Sequence, residues 1–464
     1  MTSPSRSPRI RRRKEDTRVE PRSTSPRRPL FRRVPWTAVV ITILVLLSAS
    51  FAVEPLRDAA TLQTVPEARL DLSPGYIALA PVSSVLDTLT LFGLRQHVAL
   101  LVSLLVLYLA NRAWRIDRTR RAMLPSAHAP PRAVPRVSGL LRELGLLALF
   151  LVAIVVAYAA ALVLPRPTAA IVLADPELYL AADFHSHTQY SHDGRPGWSA
   201  EDVRAWHRAA GFDMAYISDH RTVEGAERGI ADNPRQAGQG TMLLQALEVG
   251  YRGEHVNVLG AGRVYKGLTT ADNRDIDERA LTLASLLGGR EPILIETLPG
   301  HPAQIPFAGG EGGVGVRAIE VIDGSPRGLD QTRLQRSRIL HLADSANLAI
   351  VAGSDNHGWG MTAPGWTLLR IPGWRGMGTD SLAFAVERAL RVGRGATRVV
   401  ERRVAGELNE SNLLELALTL PSTTWRMWTT LSSDERVMWL VWVWTLVLVA
   451  RLAARRRRLP ASVA

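Results

Sequence analysis

The stretch ADFHSHTQYSHDG at 182–194 opens a series that continues with YISDH at 216–220, LLQALEVG at 243–250, EHVNVLG at 254–260, LPGHP at 298–302 and VAGSDNHGWG at 351–360. Each group of polar residues follows or ends an apolar run, the pattern of side chains carried at the ends of buried strands. On a strand, residues two apart share a face, so His185 and His187 are expected to point the same way, as are Asp355 and His357. Two such pairs can converge on one cavity. The protein has no cysteine, so imidazole and carboxylate are the donors, a set that suits Zn²⁺, Mn²⁺ or Fe. Glu248 has the chemistry to bridge two ions and so to place a hydroxide between them at neutral pH.

The coarse pattern around these groups alternates. Strands are predicted in LYLAADFH, FDMAYISDH, TMLLQALEVGY, HVNVLGAG, PILIETLPG, VRAIEVIDG and NLAIVAGSD. A helix is predicted over 199–210, with Ser199 as its cap and Glu201 and Asp202 in its first turn, and others near 275–287, 329–347 and 379–392. This alternation predicts an α/β protein, either a parallel barrel or a doubly wound sheet, with the polar groups at the strand ends where barrel enzymes place their chemistry.

At these residues the chain resembles the PHP (polymerase and histidinol phosphatase) family, in its HSH, SDH, the Glu of ALEVG, the His of EHVNVLG, the His of GHP, and SDNH. The resemblance covers roughly residues 180–360, and an ordered set of this kind is far more specific than a lone HxH. It implies a distorted (βα)7 TIM-like barrel holding two or three divalent ions, Zn, Mn or Fe. His185, His187, Glu248 and Asp355 would hold the first, Glu248, His255 and His301 the second, and Asp193, His220 and His357 the third. The family usually has Ser-Asp-Gly after HxH, whereas this chain has Ser191-His192-Asp193-Gly194, so either His192 or Asp193 fills that ligand position.

Composition bounds the rest. The 464 residues carry a net charge of +13, which by itself would point to nucleic acid. The excess lies at the ends: twelve Arg and Lys fall in residues 1–33, and Arg455 to Arg458 close the chain. Residues 166–430 hold 27 Lys and Arg against 31 Asp and Glu, so the metal segment is not basic and nucleic acid is disfavoured as a partner. The arginine-rich 1–33 is expected to be disordered. Residues 34–53, 89–110, 144–164 and 437–454 are predicted membrane spans, the last with Trp439, Trp442 and Trp444 as interface anchors. With about four transmembrane helices, the basic segments 1–33, 112–142 and 455–458 all fall on the cytoplasmic side and the metal segment falls outside.

The expected organisation is a tail (1–33), a membrane region with three spans (34–165), a PHP-like hydrolase domain (166–400), a linker with an amphipathic helix near 410–420 (401–436), and a last span with a basic tail (437–464). The expected activity is that of a multi-pass, membrane-anchored phosphoesterase that uses a metal-activated hydroxide on a phosphorylated substrate, with the bilayer as its partner. The rivals are a metal-dependent hydrolase of a non-phosphate substrate and a non-catalytic membrane sensor. His207 and His341 fall outside the series and are expected to be ordinary core or surface histidines; Arg195 and Arg221, beside ligand groups, are candidates to receive a phosphate oxygen.

Overall fold

A computed structural model describes residues 34–122, 136–260, 267–284, 291–298, 315–402 and 413–456. In chain order the elements are α1 (Trp36–Ala49), β1 (Leu56–Asp58), β2 (Ala68–Asp71), α2 (Pro74–Ala78), α3 (Ala80–Thr90), α4 (Leu94–Ala122), α5 (Arg136–Val163), β3 (Ala170–Leu173), β4 (Tyr179–Ser186), α6 (Ala200–Ala209) and β5 (Met214–Ile217). They continue with α7 (Glu224–Ala231), β6 (Met242–Tyr251), β7 (Glu254–Leu259), α8 (Glu278–Ala284), β8 (Ile293–Thr297), β9 (Val316–Asp323), α9 (Arg333–Ser345), β10 (Ala349–Gly353), β11 (Gly365–Arg370), α10 (Thr379–Leu390), β12 (Thr397–Arg402), α11 (Leu413–Ala417), α12 (Thr419–Thr429) and α13 (Ser433–Arg456).

Ten strands form one sheet in the order β1-β12-β11-β4-β5-β6-β7-β8-β9-β10. The sheet curls until its far strand returns to β4: Asp355 N donates to His185 O, His187 N donates to Asn356 O, and Ser186 bridges Asn356. The expected mixed α/β architecture is present. A wholly parallel sheet is not, because β7 runs antiparallel to both β6 and β8, and β11 antiparallel to β4 and β12. The cause is local. Only Arg252 and Gly253 join β6 to β7, both at positive φ (52° and 87°), a hairpin turn too short to carry a crossover helix.

Apolar residues of β4 to β6 alternate between two cores. Phe184, Tyr216 and Leu244 pack in a core shared with Leu382 and Val386 of α10, while Ala181, Ile217 and Leu243 pack with Val203 and Trp206 of α6 and Ala226 of α7. Ser199 caps α6 with Asp202 in a reciprocal capping box, as the sequence predicts.

Among the described residues, three helices are long and apolar enough to cross a membrane: Leu94–Arg118, Gly139–Val163 and Ser433–Ala454. The first apolar run, at 34–53, departs from expectation. Its helix α1 starts after Pro35 and stops at Ala49, fourteen residues, or roughly 21 Å against a bilayer core of about 30 Å. The expected first span is therefore a shorter apolar helix packed against α13, which leaves three candidate spans among the described residues, with Trp444 Nε1 donating to Thr42 Oγ1. The 54–87 segment also forms strands: β1 joins the large sheet by pairing with β12, and β2 pairs with β3 in a separate two-stranded sheet.

Candidate metal centre

The centre is built on strand ends and the turns beyond them. His185 lies near the end of β4 and His187 just past it, their rings 5.0 Å apart. Glu248 lies within β6, and His255 on the neighbouring β7. His220 and Asp355 come from turns, not strands: β5 stops at Ile217 and β10 at Gly353. Asp355 reaches the site through a left-handed backbone (φ 46°), a costly conformation for a non-glycine residue that the surrounding contacts hold in place. Gly353 permits the approach, because a Cβ there would stand 2.5 Å from Glu320 Oε1 and 2.6 Å from His185 Cβ.

Nitrogens and oxygens converge. Glu248 Oε2 lies 2.9 Å from His185 Nε2, 3.2 Å from His187 Nε2 and 3.3 Å from His220 Nε2, while Oε1 is 2.7 Å from His255 Nδ1. Asp355 Oδ1 lies 3.3 Å from His185 Nε2, 3.2 Å from His187 Nε2 and 3.5 Å from His357 Nδ1. Asp193 Oδ2 lies 3.2 Å from His357 Nε2 and 3.7 Å from His220 Nε2. The adjacent His192 side chain is 55% exposed, 3.6 Å from Asp193, and its ring packs edge-on to His220. His301 lies outside the described residues. Among the described residues, ligand atoms fall into four groups: His187, Asp193, His220 and His357; His185, His187 and Glu248; His220, Glu248 and His255; and His185, Glu320 and Asp323.

Such convergence is poor hydrogen bonding and good coordination. A neutral imidazole has one N–H to donate, yet His187, fully buried, makes no directed hydrogen bond from either ring nitrogen, and His357 Nε2 makes none either. Buried polar atoms left this way cost stability unless something else engages them. A divalent cation among these donors fits that requirement.

The electrostatics agree. Burial disfavours charge on His187, but the Asp355 and Glu248 carboxylates outweigh it and push the ring up to about 9. Burial pulls His220 down to about 4, which keeps its imidazole neutral, the form that binds metal. Burial likewise opposes the charge on Glu248, but the His185 ring and the surrounding imidazoles hold its carboxyl well below the usual range.

Two acids here went unnoticed in the sequence. Glu320 and Asp323, on β9, sit behind His185: Glu320 Oε1 is 3.0 Å from His185 Nδ1, the position of a carboxylate that orients a metal-binding histidine. Burial pushes Glu320 up to about 8 and Asp323 up to about 6. The available signal was Glu320 set between the apolar pairs Ala318-Ile319 and Val321-Ile322 in VRAIEVIDG. His207 is, as expected, a satisfied core residue, with Nδ1 bonded to Val203 O and Nε2 2.7 Å from Asp183 Oδ2. Asp219 braces Thr188, accepting from its N and Oγ1 at 2.6 Å each, next to His187.

No known family matches the chain, and no curated protein sequence matches it. Among solved structures it is similar to PsfC from Pseudomonas syringae, at 16% identity over 55% of this chain and 100% of that one, with a TM-score of 0.34. A two-domain protein from Bacteroides vulgatus, containing a predicted PHP-like metal-dependent phosphoesterase, is 15% identical over 46% of this chain and 65% of its own, with a TM-score of 0.29. The lesion-specific endonuclease EndoQ from Pyrococcus furiosus is 11% identical over 46% and 56%, with a TM-score of 0.33. At this level none of the three assigns a role to any residue here.

Proposed function

We propose that this protein is a membrane-anchored, PHP-like metal-dependent phosphoesterase. The observation that carries the reading is the crowding of three imidazole nitrogens within 3.3 Å of one Glu248 oxygen, beside Asp355 and the more exposed Asp193. His185, His187, Glu248 and Asp355 would hold one ion, Glu248 and His255 would share in a second, and Asp193, His220 and His357 would hold a third. Such ions, when bound, supply Lewis-acid polarisation of a phosphoryl oxygen and a lowered pKa for water.

The chain's own groups do the rest. Neutral His220 keeps its ring nitrogen free to coordinate, Glu320 fixes the ring of His185, and Asp193, 41% exposed, leaves the third group open to an incoming substrate. No side chain is needed as nucleophile.

The membrane reading is supported by a common polarity. The C-terminal ends of α1 and α5 and the N-terminal ends of α4 and α13 all meet the metal-bearing domain or the segments packed on it: Val53 bonds Thr429, Gly360 bonds Leu162, and Arg95 pairs with Asp330. With this polarity, the positive-inside rule would put the basic segments of the sequence at 1–33, 112–142 and 455–458 on the cytoplasmic side. A reporter fused after Ala170 is expected to be active outside the cytoplasm and one at Ala127 inside; the reverse for either removes the topology.

The activity is tested on the full chain, because excising 166–430 would strip β1 from β12 and β2 from β3. Metal analysis of the purified protein, then a screen of phosphomonoesters and phosphodiesters, is expected to show bound divalent ions and metal-dependent turnover. Turnover that survives complete chelation would overturn the proposal.

A further inference from the structure

We propose that the substrate is a phosphate ester carried by a membrane lipid, reached by the metal centre at the bilayer surface. This rests on the metal-hydrolase and membrane readings above and names the substrate class for that same site.

Two loops that carry ligand-group residues are stitched to the ends of the membrane helices. After β10, His357 is followed three residues later by Gly360, whose N–H donates to Leu162 O (2.7 Å), one residue short of the end of α5. Two residues further, Thr362 shares hydrogen bonds with Thr90, at the end of α3, and with Arg166, just past α5. After β9, which ends at Asp323, Asp330 accepts from Arg95 N (3.0 Å) and pairs with its guanidinium in the first turn of α4.

The distances this allows are short. Three residues of chain span at most roughly 11 Å, so the backbone of His357 lies no further than that from Gly360, which is itself hydrogen-bonded to the last turn of α5. The headgroup zone on each face of a bilayer is roughly 5–8 Å deep. A helix that crosses as Gly139–Val163 therefore holds the metal centre beside the headgroups.

The side chains on this short path match that setting. Trp359, between His357 and Gly360, is 47% exposed. Elsewhere in residues 170–402 the exposed large apolar side chains among those described are Leu283, Leu334, Phe384 and Val392, on or just after α8, α9 and α10. The guanidinium of Arg195 lies 5.8 Å over the Trp359 ring and 5.9 Å over that of Trp198, and its Nη1 donates to Gly358 O. Arg195 has no carboxylate at ion-pair distance among the described residues. An exposed indole seats itself at a headgroup boundary, and an un-neutralised guanidinium fork beside it suits a phosphate.

The test uses the full-length protein, metal-loaded and reconstituted in phosphatidylcholine vesicles, with two matched pairs of substrates. Phosphatidic acid is compared with glycerol 3-phosphate, and phosphatidylglycerol with glycerophosphoglycerol. The expected result is at least about a hundredfold higher kcat/KM for the lipid member of one pair, abolished by Glu248→Gln. Trp359→Ser and Arg195→Gln, with metal content retained, are each expected to narrow that lipid-to-soluble ratio by about tenfold. Equal or faster turnover of the soluble member overturns the lipid assignment and leaves the phosphoesterase reading standing. No turnover of any of the four overturns both.

Discussion

Two clusters of buried charge can be compared in this molecule, one in the metal centre and one where the membrane helices meet the domain. In the second, Asp87 of α3 receives four donors on its two oxygens: Arg166 at 2.6 Å and Thr362 at 2.8 Å on one, Arg402 at 2.6 Å and the Tyr76 hydroxyl at 2.7 Å on the other. Although burial opposes its charge, Arg402 and Arg166 hold its carboxyl below the usual range. Donors and acceptor match there, apart from spare N–H groups on Arg166. In the metal centre, several imidazoles share single carboxylate oxygens, and His187 satisfies neither of its nitrogens. Burial and charge are common to both. What separates a structural knot from a reactive site is whether the protein completes its own partners.

That difference predicts opposite responses to mutation, and the largest is expected at the knot. Asp87→Ala leaves two buried arginines without their counter-ion, which should destabilise the fold by about 3–5 kcal/mol. Thermal unfolding in detergent checks this, with metal content per folded molecule expected to stay unchanged. A loss of metal at unaltered stability would erase the distinction.

At the centre the sign reverses. Glu248→Gln removes the oxygen on which His185, His187 and His220 converge and is expected to lower turnover by more than about a hundredfold, along with bound metal, while the melting temperature of the metal-free protein changes little. Unchanged metal stoichiometry would remove Glu248 from its bridging position. Glu320→Gln acts one step further out. It keeps the shape but weakens the acceptor behind His185 Nδ1, so metal affinity is expected to fall by about ten- to a hundredfold, as measured by competition with a chelator. An effect as large as that of Glu248→Gln would make Glu320 a ligand in its own right.

The sequence revealed these regions unequally, for a physical reason. Ligand groups such as HSH and SDNH stand out because polar side chains interrupt apolar runs at short, repeated spacing. Even so, the face-sharing of Asp355 and His357 does not come from a strand, as period-two spacing suggests, but from a left-handed turn. Glu320 and Asp323 were hidden because two acids three apart on a strand fit neither its period-two spacing nor a familiar ligand motif. The Asp87 knot was invisible: its members lie up to 326 residues apart, and only the meeting of α2 and α3 with β12 and the residues just past α5 brings them together. The two-residue turn that makes β7 antiparallel was present as Arg252-Gly253, but the alternation of strand and helix around it masked it. The ends of α1 were likewise unreadable from hydropathy, since the apolar run continues past the residue where the helix stops.

The smallest expected effect lies within the metal centre itself, at the pair where the chain departs from the usual Ser-Asp-Gly. Asp193 faces His357 and His220 through Oδ2, and Ser191 Oγ donates to its Oδ1 at 2.6 Å. Burial works against its charge, yet the close His357 ring and the hydrogen bond from Ser191 hold its carboxyl far below the usual range, so it is ionised and ready to coordinate at any working pH. His192 is more exposed and touches the group only through the Asp193 carboxylate and the edge of His220. Asp193→Ala is therefore expected to cost the third ion and most of the turnover, while His192→Ala changes kcat/KM by no more than a few-fold, the range typical of an exposed substitution. Metal counting on both variants separates the roles. If His192→Ala loses an ion that Asp193→Ala keeps, the imidazole is the ligand and the carboxylate only its neighbour.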